Sequence, residues 1–471
     1  MSTWNFVMPF AAPQVLGLAD EDQQVLNELV AQWAAKRARN HERLVYLDLR
    51  TRLKDLGAAL PPELVSQLEV VVGWPQKAVD ELASRIVLDG FAGTDQNPLG
   101  LGDLLADNQF AIEFPQAVTS SLSQSLAFVT TTPDPDVEVL LQFHSALWAT
   151  GLWSRRRRAL TAGLIFLEAD KLQRPTRLLL LVPGEVVECA AGANGWYIEA
   201  VTPTGLGERI PMEPLPYRPS LERPFGRSRI DRGVMSITDR AMRGAARLEI
   251  HAELFSALKL ILLGVGEDAF EKSRWSWFLD RINTLTKDED GDLPKLEKVT
   301  AESPEPHIAV MRQLAAEFSG HTGVPLGSLG IATDNPESQG AKQEARQDTI
   351  GHAEGQHQVY GAALKRAFGT ALMIRDRLTE PPPGLRDVQL VWRPPNRPTL
   401  AAVADAGAKQ VAAVPGLAET TVGMELLGLT PQQIERFQRE RAEMGPVGID
   451  RLADVIGRQT GDGEGRREDG G

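Results

Sequence analysis

The sequence predicts an α+β chain: helical at both ends, with a run of antiparallel strands and then a long helix between. Three observations predict this. Apolar residues recur at helical spacing from residue 20, short β-rich runs separated by turn residues begin near residue 160, and beyond Ser236 the apolar positions step by three and four.

In order, the helical opening runs over residues 20–57, with Val25, Leu29, Val30 and Trp33 on one stripe and Leu44, Leu47 and Leu49 further on. A second helix follows at "PQKAVDELASRI", where Pro75 suits a first turn. The runs "LIFLEAD", "RLLLLVP", "EVVECAAGANGWYIEAV" and "ERIPMEPLPY" read as an antiparallel meander punctuated by Gly, Pro and Asn. The turn "PFGRSRIDRG" leads into a helix over 236–263, about 40 Å long at 1.5 Å per residue. Residues 264–303 form a compact insert with Trp275 and Trp277. A helix "PHIAVMRQLAAEFSG", a charge-poor loop "HTGVPLGSLGIATDNP" and a very long helix over 337–379 follow, the last bent by Gly340, Gly351, Gly355 and Gly361. A short strand "DVQLVW" precedes an Ala-rich helical region over 399–457, and the apolar-poor end over 458–471 is expected to be disordered.

At 471 residues the chain exceeds the size at which one core stops growing, so two or more packed regions are expected. Cys189 is the only cysteine, which rules out an intrachain disulfide and a zinc site built on several thiolates; it reads as a buried structural thiol. No signal-peptide pattern and no apolar run long enough to span a bilayer stand out, so the expectation is a soluble protein of a reducing compartment, with no membrane partner. A net charge of −13 argues against a general phosphate-gripping surface.

Catalytic patterns are missing. "GVGEDAFEKS" lacks phosphate-loop spacing, and Ser228 in "GRSRI" and Ser328 in "PLGSLG" lack the second glycine of a nucleophile elbow. The acidic run from Asp288 to Asp292 puts Leu293 where a calcium loop needs glycine, and reads as a solvated loop. His352 and His357, five apart, do not share a helix face and read as surface residues rather than metal ligands. Arg155 to Arg158 form either a nucleic-acid patch or a solvated or intersubunit salt-bridging face. Arg240, Arg243 and Arg247 make one stripe on their helix, either a phosphate grip or a water-facing side. No cofactor or metal site is expected.

Four segments in order, "VVGWPQKAVDELASRIVLDGF", "PFGRSRIDRGVMSITDRAMRGAARLEIHAELFSALKLILLG", "TGVPLGSLGIATDNPESQGAKQEA" and the Ala-rich finish through "ELLGLTPQQIERF", resemble the portal protein family of tailed double-stranded DNA bacteriophages, particularly long-tailed phages of actinobacterial hosts. The resemblance implies a portal fold with a mainly helical wing and crown: wing over 1–235 with its β meander, first stem helix 236–263, clip 264–303 holding Trp275 and Trp277, and second stem helix 304–322. It further implies a tunnel loop over 323–335, a long wing helix and strand over 336–397, a crown over 398–457 and a tail over 458–471. Gly323, Val324, Pro325, Leu326, Gly327, Ser328, Leu329 and Gly330 would face DNA. Gly226 and Ser228 would make the sharp turn into the stem, and Arg227, Arg229 and Arg232 would pair with acids of the next subunit. Where family members often have Ala-Asp after the serine of an "NPxS" segment, this chain has Gln339 and Gly340 after Ser338.

Functionally, the resemblance implies a non-enzymatic ring, usually a dodecamer, at the capsid vertex. Double-stranded DNA would pass through it without sequence specificity. Its partners would be the terminase large subunit, a head–tail adaptor, and the major capsid and scaffolding proteins; its place would be the virion, and the host cytoplasm during assembly. An acidic lumen would suit sliding. The rivals are an enzyme acting on nucleic acid or a nucleotide, using the arginine clusters as a phosphate grip, and another structural head or adaptor protein.

Overall fold

The computed structural model describes residues 10–54, 68–93, 97–256, 259–263, 295–299, 303–331, 346–396 and 400–444. It divides into two units, Met1–Pro395 and Asn396–Gly471.

The first unit opens with strand β1 (Val15–Leu16) and helix α1 (Asp20–Leu47). Asp20, Glu21 and Asp22 place negative charge at the positive end of the α1 dipole, and Leu26, Leu29, Val30 and Trp33 form its buried stripe. The helix stops ten residues short of the expected Gly57, because Leu49 turns into the left-handed region at φ 57° and the Arg50 amide folds back onto the Val45 carbonyl. Helix α2 (Trp74–Ala83) has Pro75 in its first turn, and is followed by β2 (Leu88–Ala92), α3 (Leu101–Asp107) and α4 (Phe110–Gln124).

Eight consecutive strands then build, with β1, two sheets. They include β3 (Leu126–Asp134), β4 (Glu138–Ser145), β5 (Ala149–Ser154), β6 (Ala159–Ala169), β7 (Pro175–Val182), β8 (Glu185–Gly192), β9 (Gly195–Pro203) and β10 (Met212–Pro216). The larger sheet has the order β1-β9-β8-β7-β6-β5, antiparallel except for β1 against β9. The smaller is β10-β3-β4. The β region therefore starts at Leu126 rather than near residue 160, and "ERIPMEPLPY" does not extend the meander: β10 crosses to pair with β3. Strand β3 escaped recognition because six successive residues from Leu126 are buried, so it lacks the alternation that marks a half-exposed strand.

Helix α1 covers one face of the larger sheet, where Trp33 packs on Phe166 at 4.3 Å and Leu164, Leu178, Leu180 and Cys189 line the core. The opposite face, with Leu160, Ile165 and Leu181, packs on Phe128 of β3 and Met212 of β10. Burial raises the Cys189 thiol to about 11, as suits an inert structural cysteine.

Helix α5 (Arg232–Ser256) begins four residues before the expected Ser236 and ends before residue 263, where β11 (Lys259–Leu263) instead pairs antiparallel with β12 (Lys295–Val299). The earlier start follows from Asp231, which caps the helix: its carboxylate accepts from the Val234 amide at 2.9 Å. Helix α6 (Glu305–Thr322) runs antiparallel to α5: Arg240 pairs with Glu317 at 2.6 Å, and His321 bonds Asp231 at 2.9 Å. Gly244 lets the helices close, since a Cβ there would lie 2.8 Å from Met311 Sδ. Trp275 and Trp277 lie outside the described residues.

Helix α7 (Gln347–Asp376) crosses the centre of the unit and buries Tyr360, Leu364, Phe368 and Leu372 against α2, α4 and β3. Residues 337–345 of the expected helix lie outside the described residues. Strand β13 (Gln389–Trp392) pairs with β2, joining segments nearly 300 positions apart in the sequence by about that count. The second unit contains α8 (Leu400–Ala413), α9 (Thr421–Leu426), capped by the Thr420 hydroxyl, and α10 (Pro431–Met444). Its expected continuation to residue 457 lies outside the described residues.

Candidate functional site: the arginine turn and its cleft

The connection from β10 to α5 is a packed turn. At Gly226, φ is 72°, and a Cβ would stand 2.1 Å from the Tyr217 carbonyl oxygen, so glycine alone fits. That same carbonyl accepts from the Arg227 amide at 2.8 Å, closing the loop on itself. Ser228 is buried; its hydroxyl donates to the Ser123 carbonyl and accepts from the Ile230 amide at 2.9 Å. With both bonds made inside the fold, this serine is structural, not nucleophilic.

Arg229 departs from the intersubunit role expected of it. It is 7% exposed, and its guanidinium donates to the Ala78 carbonyl of α2 at 2.6 Å, to the Thr322 carbonyl at the end of α6 at 2.8 Å, and to the Tyr217 hydroxyl at 3.1 Å. Its amide donates to the Leu122 carbonyl of α4. One side chain thus ties three elements, with its charge at the negative end of the α6 dipole. Arg227 and Arg232 are exposed.

Outside this turn opens a cleft of about 1580 Å³, walled by the second half of α1, residues 217–232, the start of α5 and the end of α6. Three of its four carboxylates are engaged: Asp239 holds Lys54 and the Tyr46 hydroxyl, both at 2.8 Å, Asp231 caps α5 and meets His321, and Glu222 accepts from Ser220. Most of its cations are not. Lys36, Arg39, Arg218, Arg223, Arg227 and Arg232 line the cleft, are exposed, and make no ion pair with a described residue. Arg43, deeper in, is lowered to about 10 by burial and then by Arg39. Burial, then Arg218 and Arg229, also push the His352 imidazole down.

The two histidines of α7 are not surface residues as expected. His357 is buried, with its ring stacked on Trp392 at 4.7 Å and Nε2 at 3.0 Å from the Arg85 carbonyl; His352 is half-buried at the cleft wall. Neither has a metal-binding companion, and no group of three or more His, Cys, Asp or Glu is placed to hold an ion among the described residues.

The charge-poor loop after α6 is described as far as residue 331. Gly323 ends the helix at φ 72°, Val324 and Leu329 are buried in the central core, and Leu326–Leu329 make one 3-10 turn. Gly327 and Gly330 are exposed. The four arginines from Arg155 to Arg158 form the exposed tip of the β5–β6 hairpin, where Arg157 pairs with Glu208. Of the α5 stripe, Arg240 is paired to Glu317 and Arg243 donates to the Lys54 carbonyl.

No family model matches the chain. Over 433 residues it is 27% identical to the portal protein of Mycobacterium phage L5, a match covering 87% of this chain and 86% of that protein. This chain is similar to phage portal proteins. The portal protein of Mycobacterium phage D29 is similar at 25% identity over 431 residues, 87% of each chain. A solved chain from the neck of an empty GTA particle aligns at 14% identity and a TM-score of 0.42, covering 83% of this chain and 99% of that one. The portal likeness extends through the arginine turn as well as both helices of the α5–α6 pair, since it spans most of the sequence. Sequence spacing had marked Gly226, Ser228 and the arginines; it had not marked Tyr217, Asp231 or the α1 cations Lys36 and Arg39, whose signal is positional and exists only once the chain is folded.

Proposed function

We propose that this chain is the subunit of the portal ring at a phage capsid vertex, a structural protein through which DNA is packaged and ejected. The similarity to two mycobacteriophage portal proteins along 87% of the chain carries the reading. Residues 1–235 and the long helix and strand of 336–397 serve as wing, residues 236–263 and 304–322, which hold most of α5 and all of α6, as the stem, and residues 264–303 as the clip. Residues 323–335 are the tunnel loop and residues 398–457 the crown. The subunit works as a passive guide: a closed ring, in the family usually a dodecamer, leaves DNA one axial route, while a separate terminase supplies force. The same ring then offers its surface to a head–tail adaptor, and it assembles in the host cytoplasm among capsid and scaffolding proteins.

An enzymatic reading finds less support. The one serine that the sequence brings near a glycine turn here, Ser228, has its hydroxyl bonded inside the fold. Electron microscopy and light scattering of the purified protein test the proposal: rings with an axial hole are expected, and a protein that stays monomeric at micromolar concentration overturns it. ATP hydrolysis by rigorously purified protein would count against a passive role.

A further inference from the structure

The cleft beside the arginine turn holds more positive charge than the described residues answer. Six cations face it without an ion pair among the described residues, while three of its four acids, Glu222, Asp231 and Asp239, are already bonded and only Glu42 stands against them. The whole chain carries −13, so this excess runs against its average. Like charges gathered in a concavity repel one another, and low-dielectric walls focus their field outward. A lone subunit bears that repulsion; an acidic surface placed in the cleft removes it.

We infer that the cleft is the socket in which one subunit receives an acidic surface of the next copy in the ring, through Arg223, Arg227 and Arg232. This rests on the ring reading above and adds which face of the subunit makes the contact. A second copy fits better than nucleic acid for two reasons. A ring uses two different patches per subunit, so a basic socket can meet an acidic face rather than its own image, and each copy has acid in excess. The cleft also interleaves Glu42, Glu222, Asp231 and Asp239 with its cations. A phosphate backbone carrying a charge about every 1.7 Å would meet those carboxylates too.

The test replaces Arg223→Glu, Arg227→Glu and Arg232→Glu together. The three side chains make no hydrogen bond or ion pair with a described residue, and a glutamate at the first residue of α5 suits the helix dipole, so thermal unfolding of the variant should match wild type. Its ring fraction at 0.15 M salt should fall at least tenfold, and wild-type rings should loosen as salt is raised. Separately, an Arg227→Lys protein treated with a zero-length carbodiimide should yield links from residue 227 to an Asp or Glu of another copy. Links confined to one copy, or a correctly folded triple variant that assembles as well as wild type, would overturn the inference and leave the ring reading standing. Wild-type protein that never forms rings overturns both. A duplex that binds wild type and not the triple variant, while both form rings, assigns the cleft to nucleic acid instead.

Discussion

Gly226 sits against Tyr217 so closely that a Cβ on the glycine would lie 2.1 Å from the tyrosine carbonyl oxygen. The obstacle is backbone, which cannot swing aside as a flexible side chain would, and the positive φ adds strain for any L-residue. Gly226→Ala is therefore expected to destabilise the first unit by about 3 kcal/mol, the left-handed penalty and the overpacking acting together. Denaturant unfolding followed by tryptophan fluorescence measures it. A midpoint within error of wild type would show that the turn yields.

Arg229 and Arg227, two positions apart, should behave oppositely. Arg229→Met strands the carbonyls of Ala78 and Thr322 in a buried site, and is expected to cost about 3 kcal/mol. Arg227→Met removes an exposed side chain and should shift stability by less than about 0.5 kcal/mol. Equal losses in the two variants, measured by chemical denaturation, would contradict this division of roles.

The same pair shows what was legible beforehand. Both arginines stand in one charged stretch around one glycine, and letters alone assign them one role. Only the fold separates them: the backbone reversal at Gly226 turns residue 229 inward, beneath α6, and leaves residue 227 outside. Elements with a clean period, such as α1, α6 and the β6–β9 meander, could be read from spacing. Strand β3 could not, since its first six residues are all buried, and the α5 limits are hidden because an aspartate at 231 caps the helix amid other charged residues and β11 is an apolar run that also fits helical spacing. The cleft was invisible because its cations come from α1 and from the turn, nearly 200 positions apart by rough count, and only the fold brings them together.

Acid should weaken the folded state through its histidines. Burial pushes His144 down to about 4, and its Nε2 lies 2.9 Å from the Thr130 hydroxyl. Burial likewise lowers His41, His352 and His357. For a histidine depressed in the folded state, the unfolded chain takes up the proton first. Stability is full above the unfolded value of about 6.5 and falls as pH drops towards 4. His144 alone should account for a loss of about 2 kcal/mol across that window, its ring being only half-buried. His144→Gln should shrink the acid loss by that amount in urea titrations at successive pH values; an unchanged pH profile would remove His144 from the account.

Helix α7 carries two glycines, Gly351 and Gly355, against which no described residue packs. At Gly351 and Gly355 a Cβ would meet nothing within 4 Å, and both positions are exposed. Alanine at either should stabilise the helix by about 1 kcal/mol through propensity and reduced freedom of the unfolded chain. The expected readout is a raised denaturation midpoint for the monomeric unit. A lowered one would mean that the glycines serve a bend in the helix rather than an open surface.

The loop after α6 offers the most direct test of passage through the ring. Val324 and Leu329 anchor it in the core, while Gly327 between them is exposed, with nothing within 4 Å of a Cβ, and Ser328 is half-buried beside it. Larger side chains at 327 and 328 can therefore point outward without disturbing the anchors. The stretch from residue 323 to 331 carries no charge, so a surface built from it neither grips nor repels phosphate strongly. Gly327→Lys with Ser328→Lys should leave folding and ring formation intact, since the anchors are untouched. If the loop borders the tunnel, the added lysines present a ring of positive charge to the duplex, and phosphate contacts of this kind weaken as salt rises. Packaging should then slow most at low salt and recover towards wild type as salt is increased. Rings confirmed intact by microscopy that package at the wild-type rate at every salt concentration would place residues 327 and 328 away from the DNA.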